Sequence, residues 1–274
     1  MQFSQLETEN YIFQFIEQGN GFPLLFMHGY PGRPQDFRWL FPYLSEFKII
    51  SLALPCLDYT KIKENRKPPT TINQRVSAIE EFLEKKNIKQ CLVFAHSMGG
   101  PIGTALTKRN PDKIIGLILL ASVGLYPYNA FRISKPDLAH KLTSNRIMNP
   151  FLKPIMKHMF YRFGFPRGVS VQAMQYVLHC AHDFSFTEHS KNVSTLQSPV
   201  LSIWSENDHL VEMQSQLDLS RAFPNCTDLV FQKGKHNPQR DFPKEIANGI
   251  KDWITEIGLS PEIEQYSPQK KSGE

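Results

Sequence analysis

Four short apolar runs constrain this chain more than any other feature: Phe22 to His28 (FPLLFMH), Lys48 to Pro55 (KIISLALP), Cys91 to His96 (CLVFAH) and Gly116 to Ser122 (GLILLAS). None alternates apolar with polar residues. Each therefore reads as a strand buried on both faces, which requires helices above and below a parallel sheet. Thr71 to Lys86 sets Ile72, Val76, Ile79, Phe82 and Leu83 near helical spacing, and Met98 to Arg109 follows the third run directly. Strands alternating with helices predict an α/β fold with a mostly parallel central sheet flanked by helices. The rhythm stops after Ser122 and resumes at Pro199 with PVLSIW, a helical stretch over Met213 to Ala222, TDLVFQ, and a last helix over Phe242 to Ile257. Residues 1–122 and 198–259 are expected to form a core domain. Residues 123–197 are expected to be an inserted helical cap, its short helices broken by Pro127, Pro136, Pro150, Pro154 and Pro166. Residues 260–274 hold Pro261 and Pro268 and little apolar content, and read as a disordered tail.

With 274 residues, 41% of them hydrophobic, the chain can bury a sizeable core. The 31 Lys plus Arg against 26 Asp plus Glu leave a formal +5, too mild and too mixed to indicate a nucleic-acid partner. Cys56, Cys91, Cys180 and Cys226 form no C-x-x-C pair, which argues against a disulfide framework or zinc ribbon and for a reducing compartment, here taken as the cytoplasm. The first residues show no secretory signal pattern. The longest apolar stretch, Ile114 to Ala121, falls far short of the about 20 residues of a membrane span. No integral membrane association is expected, and the Asn192 and Asn225 glycosylation patterns are read as chance.

Ala95-His96-Ser97-Met98-Gly99-Gly100 stands where an apolar strand meets a helix. A serine in that turn has its hydroxyl held clear of the backbone, and small residues on either side let strand and helix approach. The helix start also directs N–H groups at any negative charge developing there. His28-Gly29-Tyr30-Pro31-Gly32 follows the first buried strand, so the Tyr30 and Met98 N–H groups are candidates for an oxyanion hole. His28 is a candidate substrate contact, although its blander reading, a histidine bracing the loop, fits its side chain better. Serine needs a base and a group to orient that base. Asp208, taken to close the strand PVLSIWSEND, and His236, in the loop KGKHNP, both fall at the sheet edge where Ser97 emerges. Glu206 is a rival to Asp208, two residues earlier and on the same face of an extended strand.

Together these motifs resemble the α/β-hydrolase superfamily over almost the whole chain, to about Leu259. Similar proteins carry H-G-x-P-G, matched by His28 to Gly32; an Asp with a nearby aromatic, matched loosely by Asp36 and Arg38-Trp39; the serine turn; W-G-x-x-D, matched by Trp204 to Asp208; and G-H-x-P near the end. Ala95 and Ser205 replace glycines, and Lys235 intervenes between Gly234 and His236, where it is expected to face water. The resemblance extends to epoxide hydrolases and haloalkane dehalogenases, but those use an aspartate where Ser97 stands. A serine suits acyl transfer from an ester, thioester or activated C–C bond. The resemblance thus implies a capped serine hydrolase of small to medium apolar acyl substrates, cofactor-free, monomeric or homodimeric, with Ser97 as nucleophile, His236 as base and Asp208 as its orienting acid. The alternative is a catalytically silent hydrolase-like protein that binds a small molecule.

Two further clusters need a reading. His179, Cys180, His182, Asp183 and His189 lack the paired spacing of a structural zinc site, and no metal is expected. Phe151, Met156, Met159 and Phe160 in the insert are either the cap's own interior or the wall of a substrate pocket. The interleaved Arg146, Lys153, Lys157, Arg162 and Arg167 offer a weaker reading, adsorption to anionic lipid.

Overall fold

The four apolar runs form the middle of the sheet. The structure is a computed structural model that describes residues 2–55, 59–64, 67–144, 149–162 and 168–259; within its helices the side chains of Lys153, Met159 and several others are also outside the description. In chain order the elements are β1 (Phe3–Glu7), β2 (Tyr11–Gln18), β3 (Phe22–Met27), β4 (Phe47–Leu52), β5 (Lys61–Ile62), α1 (Ile72–Lys85), β6 (Cys91–His96), α2 (Gly99–Arg109) and β7 (Ile114–Leu120). The insert follows with α3 (Asn129–Ser134), α4 (Pro136–Ser144), α5 (Asn149–Arg162), α6 (Val171–His182) and α7 (Phe186–Ser194). Then come β8 (Val200–Ser205), α8 (Met213–Ala222), β9 (Cys226–Phe231), α9 (Pro238–Asp241) and α10 (Pro243–Glu256).

Among the described residues the sheet has nine strands in the order β1-β2-β4-β3-β6-β7-β8-β9, with β5 beside β2. It is parallel from β4 to β9 and antiparallel where β2 meets β1, β4 and β5. Every residue of β3, β6 and β8 is buried, because both faces are covered. One face carries α1 and α2 on Leu25, Met27, Val93 and Leu117, and the other carries α10 on Phe26, Phe94 and Ile118. α1 starts where Thr71 Oγ1 accepts from the Gln74 N–H and Gln74 Oε1 accepts from the Thr71 N–H, a reciprocal cap at 3.3 and 3.2 Å.

Three expectations need correction. The run Lys48 to Pro55 leaves the ladder after Leu52, and the run to Ser122 leaves it after Leu120. The strand before Asp208 ends at Ser205, so the acid sits in the loop beyond it. Pro154 lies inside α5 without ending it, whereas Pro136 begins α4. Within residues 123–197, α4, α5 and α6 pack on one another around Met156, Phe160, Met174 and Leu178, while α7 packs against α2 and α8. The tail, Cys56, Arg146 and Arg167 lie outside the described residues.

Candidate active site

β6 delivers Ser97 into the turn before α2 with φ at +53°, a left-handed backbone that serine adopts only when its surroundings enforce it. The enforcement is visible. The Ser97 N–H donates to Leu120 O at 2.9 Å, and its carbonyl accepts from the Gly100 N–H at 2.9 Å. A Cβ on Gly99 would stand 2.7 Å from Met27 O, and one on Gly100 only 1.9 Å from Ser122 Oγ. Two glycines after the serine are what allow α2 to seat on the ends of β3 and β7.

The loops after β8 and β9 bring the other two groups to the same rim. His236 Nε2 lies 2.9 Å from Ser97 Oγ, and His236 Nδ1 lies 2.7 Å from Asp208 Oδ2. The Asp208 carboxylate is fully buried, and its Oδ1 accepts from the Leu210 and Val211 N–H groups at 2.8 and 3.2 Å. Burial pushes its pKa up, but the imidazole beside it and these hydrogen bonds outweigh that and hold it below the ordinary 3.8. An ionised Asp208 can only accept, so Nδ1 carries the ring proton and Nε2 is left to accept from the serine hydroxyl. Glu206, the rival acid, is exposed.

Two residues hold this arrangement from behind, and neither stood out in the sequence. Asn207 Oδ1 accepts from the Lys235 N–H at 2.8 Å, tying the acid's loop to the histidine's. His96 donates through Nε2 to the His236 carbonyl at 2.9 Å. Burial pushes the His96 pKa down to about 3, so the ring is neutral and keeps the N–H that this bond needs. A histidine closing a wholly apolar strand was the available signal, since a buried imidazole requires a partner.

Tyr30 and Met98 line the same cavity as Ser97. Met98 is the residue before α2, so its N–H has no carbonyl one turn back within the helix to take it up. His28 does not line the cavity. Its ring is wholly buried, with Nδ1 against Gly29 O at 2.8 Å and Nε2 accepting from the Leu54 N–H at 3.0 Å, so it braces the loop as its blander reading had it. Met156 and Phe160 line the cavity, Phe151 is 71% exposed and outside it, and the Met159 side chain is outside the described residues. Lys235 is exposed.

The cavity measures about 980 Å³ and runs from Ser97 to the apolar side chains of α4, α5 and α6. Elsewhere, the His140 ring stacks on that of His182 at 4.2 Å and meets His179 at 4.5 Å, but no group of three or more His, Cys, Asp or Glu among the described residues is arranged to hold a metal. Among the described residues no helix is long and apolar enough to cross a membrane.

A family model described as the alpha/beta hydrolase fold matches residues 23–166. The chain is 23% identical over 249 residues to the uncharacterized hydrolase YugF of Bacillus subtilis, covering 84% of this chain and 89% of that protein. It is 22% identical over 253 residues to a 2-hydroxymuconate semialdehyde hydrolase of Pseudomonas putida, covering 88% and 89%. The structure of a thermophilic esterase from Thermogutta terrifontis matches with a TM-score of 0.73 at 15% identity, covering 94% of this chain and 99% of that one.

Proposed function

The chain belongs to the alpha/beta hydrolase fold family, and from that premise we propose that it is a serine hydrolase cleaving carboxylic esters or thioesters of apolar acids through an acyl-enzyme on Ser97. The observation that carries this reading is the contact chain from Ser97 Oγ to His236 Nε2 at 2.9 Å and from His236 Nδ1 to Asp208 Oδ2 at 2.7 Å, in the lining of the cavity. In the proposed sequence Oγ bonds to the acyl carbon while its proton passes to Nε2. Asp208 stabilises the resulting imidazolium, and the Tyr30 and Met98 N–H groups receive the charge on the carbonyl oxygen. The C–O or C–S bond then breaks, and the same proton leaves Nε2 with the departing alcohol or thiol. Water, deprotonated by His236, attacks the acyl carbon and releases the acid and Ser97. The apolar lining from Leu138, Leu142, Met156, Phe160 and Leu178 suits a hydrocarbon or aryl acyl chain.

Hydrolysis of 4-nitrophenyl butyrate by the native chain and its Ser97→Ala variant tests the reading. The variant is expected to lose about 10⁴-fold or more in kcat with its melting temperature kept, and the native chain to be labelled by a fluorophosphonate that the variant ignores. Retained turnover in the variant, or a native chain that is neither active nor labelled, sinks the proposal; the latter result favours a pocket that only binds.

A further inference from the structure

The walls of the cavity differ in character. On the side of α3, α4 and α5 the mouth is formed by Ile133, Leu138 and Ile155, each more than half exposed although it lines the cavity. The lining also carries Arg38 and Arg240, both over Trp39, and Lys235 beside His236, with Lys135 between α3 and α4, and all four are exposed. None of these four cations makes an ion pair among the described residues. The carboxylates of the lining are already engaged. Asp208 is held by His236, and Asp36 pairs with Arg33 at 3.6 Å while accepting from its N–H at 3.0 Å. The mouth therefore presents three cations near Trp39 and the His236 loop that no carboxylate of the lining compensates.

That charge is held in place. The Arg38 guanidinium lies 3.5 Å from the centroid of the Trp39 ring, and that of Arg240 lies 5.1 Å from it. Stacking on an indole keeps a guanidinium near one position, and Arg38 is fixed further by Nη1 donating to Gln35 O at 3.1 Å, which leaves its other N–H groups for a carboxylate or phosphate. The location also selects a part of the substrate. His236 must return a proton to the leaving atom, so the leaving group departs past Nε2. Lys235 precedes that histidine in the chain, and Arg240 stands on α9 directly after it. Arg240 is near enough that its charge is felt at His96, behind the same loop.

We propose that the natural substrate is an amphiphile whose leaving group carries a phosphate or carboxylate, received by Arg38, Lys235 and Arg240, while its apolar acyl chain lies under α4 to α6. This rests on the serine-hydrolase reading above. The charges sit at an open mouth, so they act through capture of the anion and weaken with salt.

Matched thioesters test it: hexanoyl pantetheine against hexanoyl 4′-phosphopantetheine, and hexanoyl 3-mercaptopropionamide against hexanoyl 3-mercaptopropionate, with the readout being the ratio of kcat/KM within each pair. At about 20 mM salt the anionic member is expected to be favoured on the order of tenfold, and the preference to shrink several-fold at about 0.5 M. In the Lys235→Gln/Arg240→Gln variant the ratio is expected to fall close to one, and a ratio cancels any general damage to turnover. The pair that shows the larger preference distinguishes phosphate from carboxylate. A native ratio near one in both pairs, or a ratio untouched by the double substitution, overturns the proposal. So does a stronger preference for a pantetheine thioester whose acyl chain ends in a carboxylate. Neutral thioester turnover that Ser97→Ala abolishes would leave the serine reading standing through any of these failures.

Discussion

Asp208 accepts three hydrogen bonds, and their division between its two oxygens decides what an amide would do there. Oδ1 takes the Leu210 and Val211 N–H groups, and Oδ2 takes the His236 ring proton. In Asp208→Asn the carbonyl oxygen must stay on the two backbone donors, because an NH2 facing them would bury two donor clashes. The NH2 then points at His236 Nδ1 and donates to it, which moves the ring proton to Nε2 and removes the base from Ser97. The expected outcome is a kcat lowered about 10⁴-fold with the melting temperature changed by only a few degrees. Esterase kinetics and a thermal melt check it; a loss of tenfold or less would mean that Asp208 does not set the tautomer. The three residues of this chain stood out in the sequence because each follows an apolar run at the same sheet edge. Asn207 and His96 did not, because their contacts, to the Lys235 N–H and to the His236 carbonyl, join segments far apart in the chain through backbone atoms that carry no residue signature.

The packing of α2 on the sheet offers a test that separates two glycines side by side. A methyl on Gly100 would collide with the Ser122 side chain, at 1.9 Å from Oγ and 2.7 Å from Cβ, whereas the Ser122 backbone stands 3.4 Å away. A methyl on Gly99 would meet only backbone, Met27 O at 2.7 Å and His28 O at 2.8 Å. Gly100→Ala should therefore destabilise the fold by about 1–3 kcal/mol, and Ser122→Gly should return most of that loss. Gly99→Ala should cost at least as much with no rescue from Ser122→Gly, since a carbonyl of β3 cannot be trimmed. Urea unfolding of the five variants makes the double-mutant cycle, and equal behaviour of the two glycines would contradict this account of how α2 is seated. The inner strands were legible as unbroken apolar runs because both of their faces are covered. β1 and β2 were not, since they form the antiparallel end of the sheet, are mostly half-buried, and mix Gln, Glu and Ser with Phe and Ile.

The insert shows where sequence stops and packing begins. Its helices could be anticipated, but not that α7 rests on α2 and α8, nor that His189, grouped with His179 and His182 in a cluster expected to hold no metal, is buried in α7 with Nε2 3.3 Å from Val123 O. That burial joins distant parts of the fold in one response to acid. Desolvation lowers the pKa of His189 to about 4 and that of His96 to about 3, and it lowers that of His28 as well, all from an ordinary 6.5. Between pH 6.5 and 4 the unfolded chain therefore takes up protons that the folded chain refuses, so stability is complete above 6.5 and declines as pH falls below it. Carboxylates account for little of the upper part of this window. Glu17, Glu81 and Asp208 are held below their ordinary 4.5, 4.5 and 3.8, although burial opposes this, so their contribution is whole above about pH 5.5 and is lost as pH falls through those ordinary values. Each neutral histidine should add about 1 kcal/mol per pH unit to the slope of unfolding free energy between pH 6 and 5. His189→Gln, which removes one titrating group away from Ser97, should reduce that slope by about this amount whatever it does to stability at pH 8. Urea titrations at pH 8, 6 and 5 measure both slopes, and parallel lines for the two proteins would show that His189 is protonated in the folded chain after all.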